Sequence, residues 1–328
     1  MTRSKIALLA AAAALSVSAG PAAQASDAAG TFPARPVTLL VGFAAGGSVD
    51  NAARLVGRRL QEAGWTIVVE NRTGASGLIA ARELARSAPD GYTLMMGSVS
   101  NLAMVPAATS QPGFDPVKDT VPVAKIGSAP LMLLVQKDGS LHSVADVIAS
   151  AKSSAEPLNY ASGGIATPPH LAAELFASTA GIRLNHIPYR GEAPALVDLV
   201  GKHVPMMFAN LTTAMPQVQA GAVRALAVSS LERAEVAPGV PTLAESGLPG
   251  FDVANWFGIV APAGTPAAIA DRIHAAIADA LRDPGVRKQF GEQGLKVEDL
   301  SRARFGDQMK AEVAKWSKVV RDVGVRLD

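Results

Sequence analysis

Two short stretches carry residues whose types and spacing suit the capture of an anion. The first is Phe43-Ala44-Ala45-Gly46-Gly47-Ser48, running on to Asp50. The apolar run Val37-Thr38-Leu39-Leu40-Val41 before it reads as a buried strand. After it Ala52, Ala53, Val56 and Leu60 recur at helical spacing, with Arg54, Arg58 and Arg59 toward the far end. A strand, a turn of small residues and a helix aim unused backbone N–H groups and the positive end of the helix dipole into the turn. The second stretch is Ala161-Ser162-Gly163-Gly164-Ile165-Ala166-Thr167, with Thr167 placed to N-cap a helix that opens at Pro168 and carries His170. An ordinary βα connection, with glycine relieving sterics alone, has the same look. Ser98, Ser100 and Asn101 follow a third strand and could face the same crevice, or simply cap a short helix.

Other chemistry is poorly supplied. There is no G-x-G-x-x-G. Gly42 and Gly47 have P-loop spacing, but Ser48 and Val49 stand where Lys and Ser/Thr are required, which argues against a polyphosphate site. H-E-x-x-H and G-x-S-x-G are both missing. His170–Glu174 and His142–Asp146 are i,i+4 pairs without an evident third ligand, so they read as helix-surface pairs and no metal is expected. No cofactor is expected either. Ser162 and His170 as nucleophile and base would make a secreted serine hydrolase, the alternative to a binding function. His170 reads more simply as a helix-terminal donor or a core histidine. Three Tyr and three Trp are too few for a stacking platform. Arg72 and Arg190 could reach a distal acid group, although exposure is the default for both.

The chain has 328 residues, enough for two domains, and no Cys. Arg3 and Lys5, an apolar run from Ile6 to Val17, and Ala23-Gln24-Ala25 read as a signal peptide over 1–25, cleaved after Ala25. Its removal takes the formal charge from +2 to 0, which leaves no electrostatic footprint for nucleic acid. An exported, periplasmic protein held together by core packing follows.

The order of elements begins βαβαβ: strands at 37–41, 65–70 and 92–96, with helices from Asp50 and over 78–87. Such a sheet is expected to be parallel and doubly wound, with ligands beyond the carboxyl ends of its strands. An apolar strand over 130–136 leaves the first domain. Ser143-x-x-Asp146 resembles a capping box opening a helix to Lys152. The second half repeats the device: strands at 158–160, 183–187, 204–208 and 223–228, helices at 168–179, 194–200 and 215–220, and Asn210-Leu211-Thr212-Thr213 as a polar exit. Thr242-x-x-Glu245 is another capping box. An extended segment over 253–260, a helix from Thr265-Pro266 to Leu281 and a last helix over 303–323 return to the first domain. Phe305, Met309, Val313, Trp316, Val320 and Val323 form a stripe on that last helix, read as core packing. Crossings near 124–135 and 251–260 make a hinge with a cleft between two lobes: 31–130 plus 254–328, and 131–253.

Many blocks in order match one family. They include Phe43-Ala44-Ala45-Gly46-Gly47 with Asp50 and Arg54, Val69-Glu70-Asn71-Arg72 with Gly74, and Pro89-Asp90-Gly91-Tyr92-Thr93-Leu94. Asn159-Tyr160-Ala161-Ser162-Gly163, His170-Leu171-Ala172-Ala173-Glu174, Pro188-Tyr189-Arg190-Gly191 and Ala261-Pro262-Ala263-Gly264-Thr265-Pro266 continue them. Over nearly all of the mature chain the sequence resembles the periplasmic solute-binding proteins of tripartite tricarboxylate transporters, the Bug receptor family. The resemblance implies a two-lobed Venus-flytrap α/β fold. It also implies a small organic carboxylate held by backbone amides and waters between loops matching Phe43–Asp50 and Ser162–Thr167. The ligand-binding residues it implies extend to Ser98, His170 and Asn210. Many relatives carry Asp where Ala209 stands, which weighs against a ligand bearing an ammonium group. The implied partners are the membrane subunits of such a transporter or, alternatively, a sensor kinase, with the receptor a monomer.

Overall fold

The computed structural model describes residues 32–323 and 326–327, so the expected signal peptide and the side chain of Val323 lie outside the described residues. The chain opens β1 (Val37–Val41), α1 (Ser48–Glu62), β2 (Ile67–Asn71), α2 (Leu78–Arg86), β3 (Thr93–Ser98). β1 pairs in parallel with β2 and β3, as the βαβαβ order requires. β4 (Thr120–Gln136) then runs the length of the molecule.

The second lobe holds α3 (Val144–Ser153), β5 (Leu158–Ser162), α4 (Pro168–Ala180), β6 (Leu184–Pro188), α5 (Glu192–Val200), β7 (Met206–Asn210), α6 (Leu211–Gln219) and β8 (Val223–Val228). β5 is parallel to β6 and β7. The chain returns through β9 (Ala254–Pro262) to α7 (Ala267–Arg282), α8 (Pro284–Glu292), β10 (Lys296–Val297) and α9 (Arg302–Val323).

The sheets differ from the expected all-parallel form. β9 is antiparallel to β3 and β4, and β4 is antiparallel to β7 and β8. The reason is mechanical. A strand that crosses between lobes enters each sheet without a helical crossover, so nothing forces the parallel sense. β4 pairs with β9 from Thr120 to Pro130, then with β7 from Leu131 onward. It thereby joins the strand order β2-β1-β3-β9-β4-β7-β5-β6.

Alternation along the strands places the cores. Leu39 and Val41 pack with Val56, Ile269, Ile273 and Phe290, while Leu40 faces the other side with Leu78, Met95, Phe305 and Trp316. In β4, Leu131, Leu133 and Val135 face Phe176 and Phe208, and Met132 and Leu134 face Leu196 and Met207. The α9 stripe is core: Phe305, Met309, Trp316 and Val320 are all buried against the first lobe.

Both capping motifs do work at turns. Ser143 Oγ accepts the Asp146 N–H (3.1 Å), although Asp146 reaches back to His142 N–H (2.9 Å). Thr242 and Glu245 cap each other reciprocally, at 2.8 and 3.0 Å, and close a turn. The helix expected from Met215 begins earlier, so Asn210 is the last residue of β7 and the N-cap position of α6.

Candidate functional site

The first loop is shaped from inside. Asp50 is 1 % exposed, and its carboxylate accepts the Gly46 N–H (2.9 Å), Arg54 Nε (2.8 Å) and Asn71 Nδ2 (2.9 Å). Asn71 Nδ2 also donates to Phe43 O (2.9 Å). Burial alone would raise the Asp50 carboxyl, but hydrogen bonds from Arg54, Gly46 and Asn71 outweigh it and hold the group below the usual carboxylate range. Gly46 takes φ +79°, a turn that lets its amide point at Asp50. The first bond within α1 runs from Asn51 N–H to Gly47 O (2.9 Å). Helix geometry therefore leaves the N–H groups of Ser48, Val49 and Asp50 without an intrahelical acceptor.

The second loop is built differently. Pro168 and Pro169 open α4 and carry no N–H, so His170 supplies the one donor of that first turn. The Gly164 N–H goes to Ser162 Oγ (3.1 Å) and the Ala166 N–H to His170 Nδ1 (2.9 Å). Thr167 holds the N-cap position without capping. With the first two helical amides absent, its hydroxyl donates instead to Gly164 O (2.7 Å). Gly163 and Ile165 keep amides outside these bonds.

The Ser162–His170 pair of the alternative hydrolase reading does not form. Strand pairing sets Tyr160 beside His186, and Ser162 Oγ lies 2.6 Å from His186 Nε2 and 3.0 Å from Gly164 O. Rings of Tyr160, His186 and His170 stack in a column, with the two histidine centroids 4.0 Å apart. Tyr160 donates to Glu174 Oε1 (2.6 Å), which lies 3.7 Å from His170 Nε2. Desolvation, with the neighbouring His186 second, pushes His170 down to about 3, and desolvation pushes His186 down to about 4. Ser162 is wholly buried, and a base with so low a pKa is far from the value near the working pH at which general-base catalysis is most efficient. His170 is the core histidine of the two simple readings, its Nδ1 accepting rather than donating.

Between the loops lies a pocket of ≈ 330 Å3 counted out to its mouth. Of the expected residues, Phe43, Gly47, Ser48, Ser98, Gly163, Thr167 and Asn210 line it. Ala44, Ala45, Gly46, Asp50, Ser162, Gly164, Ile165, Ala166 and His170 do not, and act behind the wall or at the lobe contact. The pocket also includes Ser100, expected from sequence to face the crevice, and Pro168 at the start of its helix, and it adds Val49, Pro169, Glu192 and Asn255, which the sequence did not single out. Ser98 Oγ, Ser100 Oγ and Asn255 Oδ1 are buried there without a hydrogen-bond partner among the described residues. Arg72 instead pairs with Glu70 and Glu83 at the surface, and the Arg190 side chain is exposed.

The lobes are closed on each other. Ala44 N–H donates to Arg190 O (3.3 Å), Asn210 Nδ2 to Ser48 Oγ (3.0 Å), and Asn255 Nδ2 to Asn210 Oδ1 (3.0 Å). The Glu192 carboxylate accepts the Asn210 N–H (3.1 Å), Asn210 Nδ2 and Thr213 Oγ1 (2.9 Å). Removing the Ser48 hydroxyl takes one acceptor from this contact. Ser48→Ala should weaken ligand binding by about 0.5–1.5 kcal/mol, roughly 2- to 13-fold in Kd, measured by calorimetry. Wild-type affinity in that variant would count against a site at Ser48.

Two α/β lobes joined by crossing strands and closed over a polar cleft define a periplasmic binding protein of the Venus-flytrap class. The model of the tripartite tricarboxylate transporter family receptor matches residues 52–325, and the chain belongs to that family, which includes the Bug receptors. The solved structure of the periplasmic binding protein BugD superposes with a TM-score of 0.86 at 32% identity, over 90% of this chain and 99% of that one. Rpa4515 of R. palustris, solved with adipate, gives 0.87 at 35% identity over 90% and 99%. MatC (Rpa3494) of Rhodopseudomonas palustris, with bound malate, gives 0.83 at 33% over 88% and 100%. Family members are solute-binding receptors. No described helix is long and apolar enough to cross a membrane.

Proposed function

We propose that this chain is a periplasmic receptor that captures a small organic carboxylate between its lobes. It hands the carboxylate to the membrane subunits of a tripartite tricarboxylate transporter. The receptor acts as a monomer after cleavage following Ala25, with lobes of 31–130 plus 254–328 and of 131–253. The change of partner of β4 between Pro130 and Leu131 supports that boundary. One observation carries the ligand class. The unused N–H groups at the start of α1 stand at a buried pocket wall beside two unpartnered serine hydroxyls, and no Lys, Arg or His lines the pocket. Such a site holds an anion by dipoles and hydrogen bonds rather than by a countercharge. The first lobe contributes most of these donors, since two of the second lobe's first-turn amides are prolines. The adipate of Rpa4515 and the malate of MatC belong to proteins of this fold and family and support the same class.

Thermal unfolding with a panel of acids tests the reading. Adipate, malate, benzoate and nicotinate are compared with phosphate, a neutral sugar and an amine. A ligand at 100 times its Kd stabilises the folded protein by about 2.7 kcal/mol, which shifts the transition by several degrees. At least one carboxylate should do so, and the sugar and the amine should not. A shift with phosphate or the sugar and none with any carboxylate would refute the proposal.

A further inference from the structure

Glu192 is an acid inside the pocket proposed for an acid. The residue is 6 % exposed, stands at the start of α5 and lines the cleft. Its donors come from both lobes: Asn210 and Thr213 from the second, and the Ser48 hydroxyl from the first. All four bonds come from neutral groups.

No charge on the packed elements answers it. On α1, Asp50 is held by Arg54, Asn71 and the Gly46 amide. On α4, His170 is occupied by Ala166 N–H and the His186 ring. On its own helix, Asp198 receives Tyr189 and His203 at the surface. β7, α6 and β9 carry no ionisable side chain. A carboxylate kept only for structure would sit opposite a cation or within one lobe's core. This one sits where the lobes meet, so opening the cleft returns it to water.

Two carboxylates in one small pocket with no cation among the described residues of its wall disfavour each other's ionised form. We propose that Glu192 makes capture proton-linked: the ligand's carboxylate closes the cleft only with uptake of one proton, which Glu192 and the ligand share. The inference rests on the carboxylate reading above. The bookkeeping of protons is simple: the open receptor with Glu192 ionised, a ligand carboxylate and one proton from buffer give a closed complex with one fewer negative charge. Burial, against its four hydrogen bonds, already lifts the Glu192 carboxyl above the ordinary glutamate range in the closed state. Glu192 thereby disfavours ligands whose charge near the first loop cannot be shared with a proton.

Calorimetry of adipate binding decides, run at pH 7.0, 7.5 and 8.0 in two buffers of unlike ionisation enthalpy. The dependence of the observed heat on buffer counts protons. Wild type should take up about one proton per adipate and lose roughly tenfold in affinity per pH unit. Glu192→Gln keeps the shape, and the Thr213 hydroxyl can turn to accept from the new amide. That variant should take up no proton, bind with a Kd flat in pH, and exceed wild type at pH 8. Wild-type binding without proton uptake would overturn the proposal, whatever the variant does. So would uptake that persists in Glu192→Gln, or tighter binding of aspartate with no uptake, which would mean that an ammonium answers Glu192. Adipate, malate, benzoate and nicotinate all failing to bind either protein at any pH would overturn the carboxylate reading, and this inference with it.

Discussion

Between pH 7 and pH 5 the unfolding free energy of the ligand-free protein should fall by up to about 4 kcal/mol. The origin is the histidine column under the second loop. His170 and His186 are pushed from 6.5 to about 3 and about 4 by burial, so the folded chain does not protonate them in this range. The unfolded chain does, from about 6.5 downward. The unfolded state then binds more protons, and stability present above about pH 6.5 is lost as the pH falls toward 4. Each histidine contributes about 2 kcal/mol over the two units. Glu192 acts oppositely. Its carboxyl is raised only while the cleft is closed over it, so any closed ligand-free protein gains on the unfolded state as the pH falls, which lessens the fall.

Urea unfolding at pH 7, 6 and 5 measures the fall. His186→Gln should lessen it by about 2 kcal/mol, and Glu192→Gln should not lessen it. A flat profile, or the same slope in wild type and His186→Gln, would show that the column does not titrate as its burial requires. The lowered carboxylates Asp50, Asp115 and Glu245 do not confuse the window, since they lose stability only as the pH falls below the ordinary carboxylate range.

Replacing Gly191 by valine should cost at least thirtyfold in carboxylate affinity while leaving both lobes folded. Gly191 takes φ +137°, which L side chains rarely adopt, and a Cβ there would stand 3.0 Å from Ala44 N and 3.1 Å from Ala44 Cβ of the opposite lobe. The obstacle is backbone, so it yields only if the lobes part. Parting also breaks the Ala44–Arg190 and Asn210–Ser48 bonds. Strain at such a residue is of order 1–3 kcal/mol, and blocked closure removes the second wall of the site. Gly221→Val is the control: it also puts valine at a positive φ, +67°, but with nothing within 4 Å of its Cβ and outside the pocket wall. Small-angle scattering should find Gly191→Val extended even in excess ligand, where wild type and Gly221→Val contract. Equal contraction of all three would show that closure does not run through this contact.

Local pattern made part of this legible. Val37–Val41 followed by small residues and a helical stripe reads directly as strand, turn and helix, because period and turn chemistry act over a few residues. The α9 stripe and the Thr242–Glu245 cap are local in the same way. The choice of histidine was not. His170 is nearer Ser162 along the chain, but parallel pairing of β5 with β6 brings His186 to it. Glu192 lies just after a glycine and two residues before the helix expected from Pro194, and nothing local marks it out; the helix in fact starts at Glu192. Its burial comes from Asn210 and Thr213 on the next βα unit and Ser48 on the other lobe.

Most of the elements, the family, the two turns and the likeness to a carboxylate receptor were legible in the chain, because they rest on short-range periodicity and on contiguous blocks, whereas α8, β10 and the true start of α6 were not. Which face of each turn meets the cleft, and that Asn255 and Glu192 complete the wall, came only with the packing of the strands and lobes. Those outcomes depend on strand register and lobe closure, which join residues 45 and 162 positions apart by contacts that no local pattern encodes.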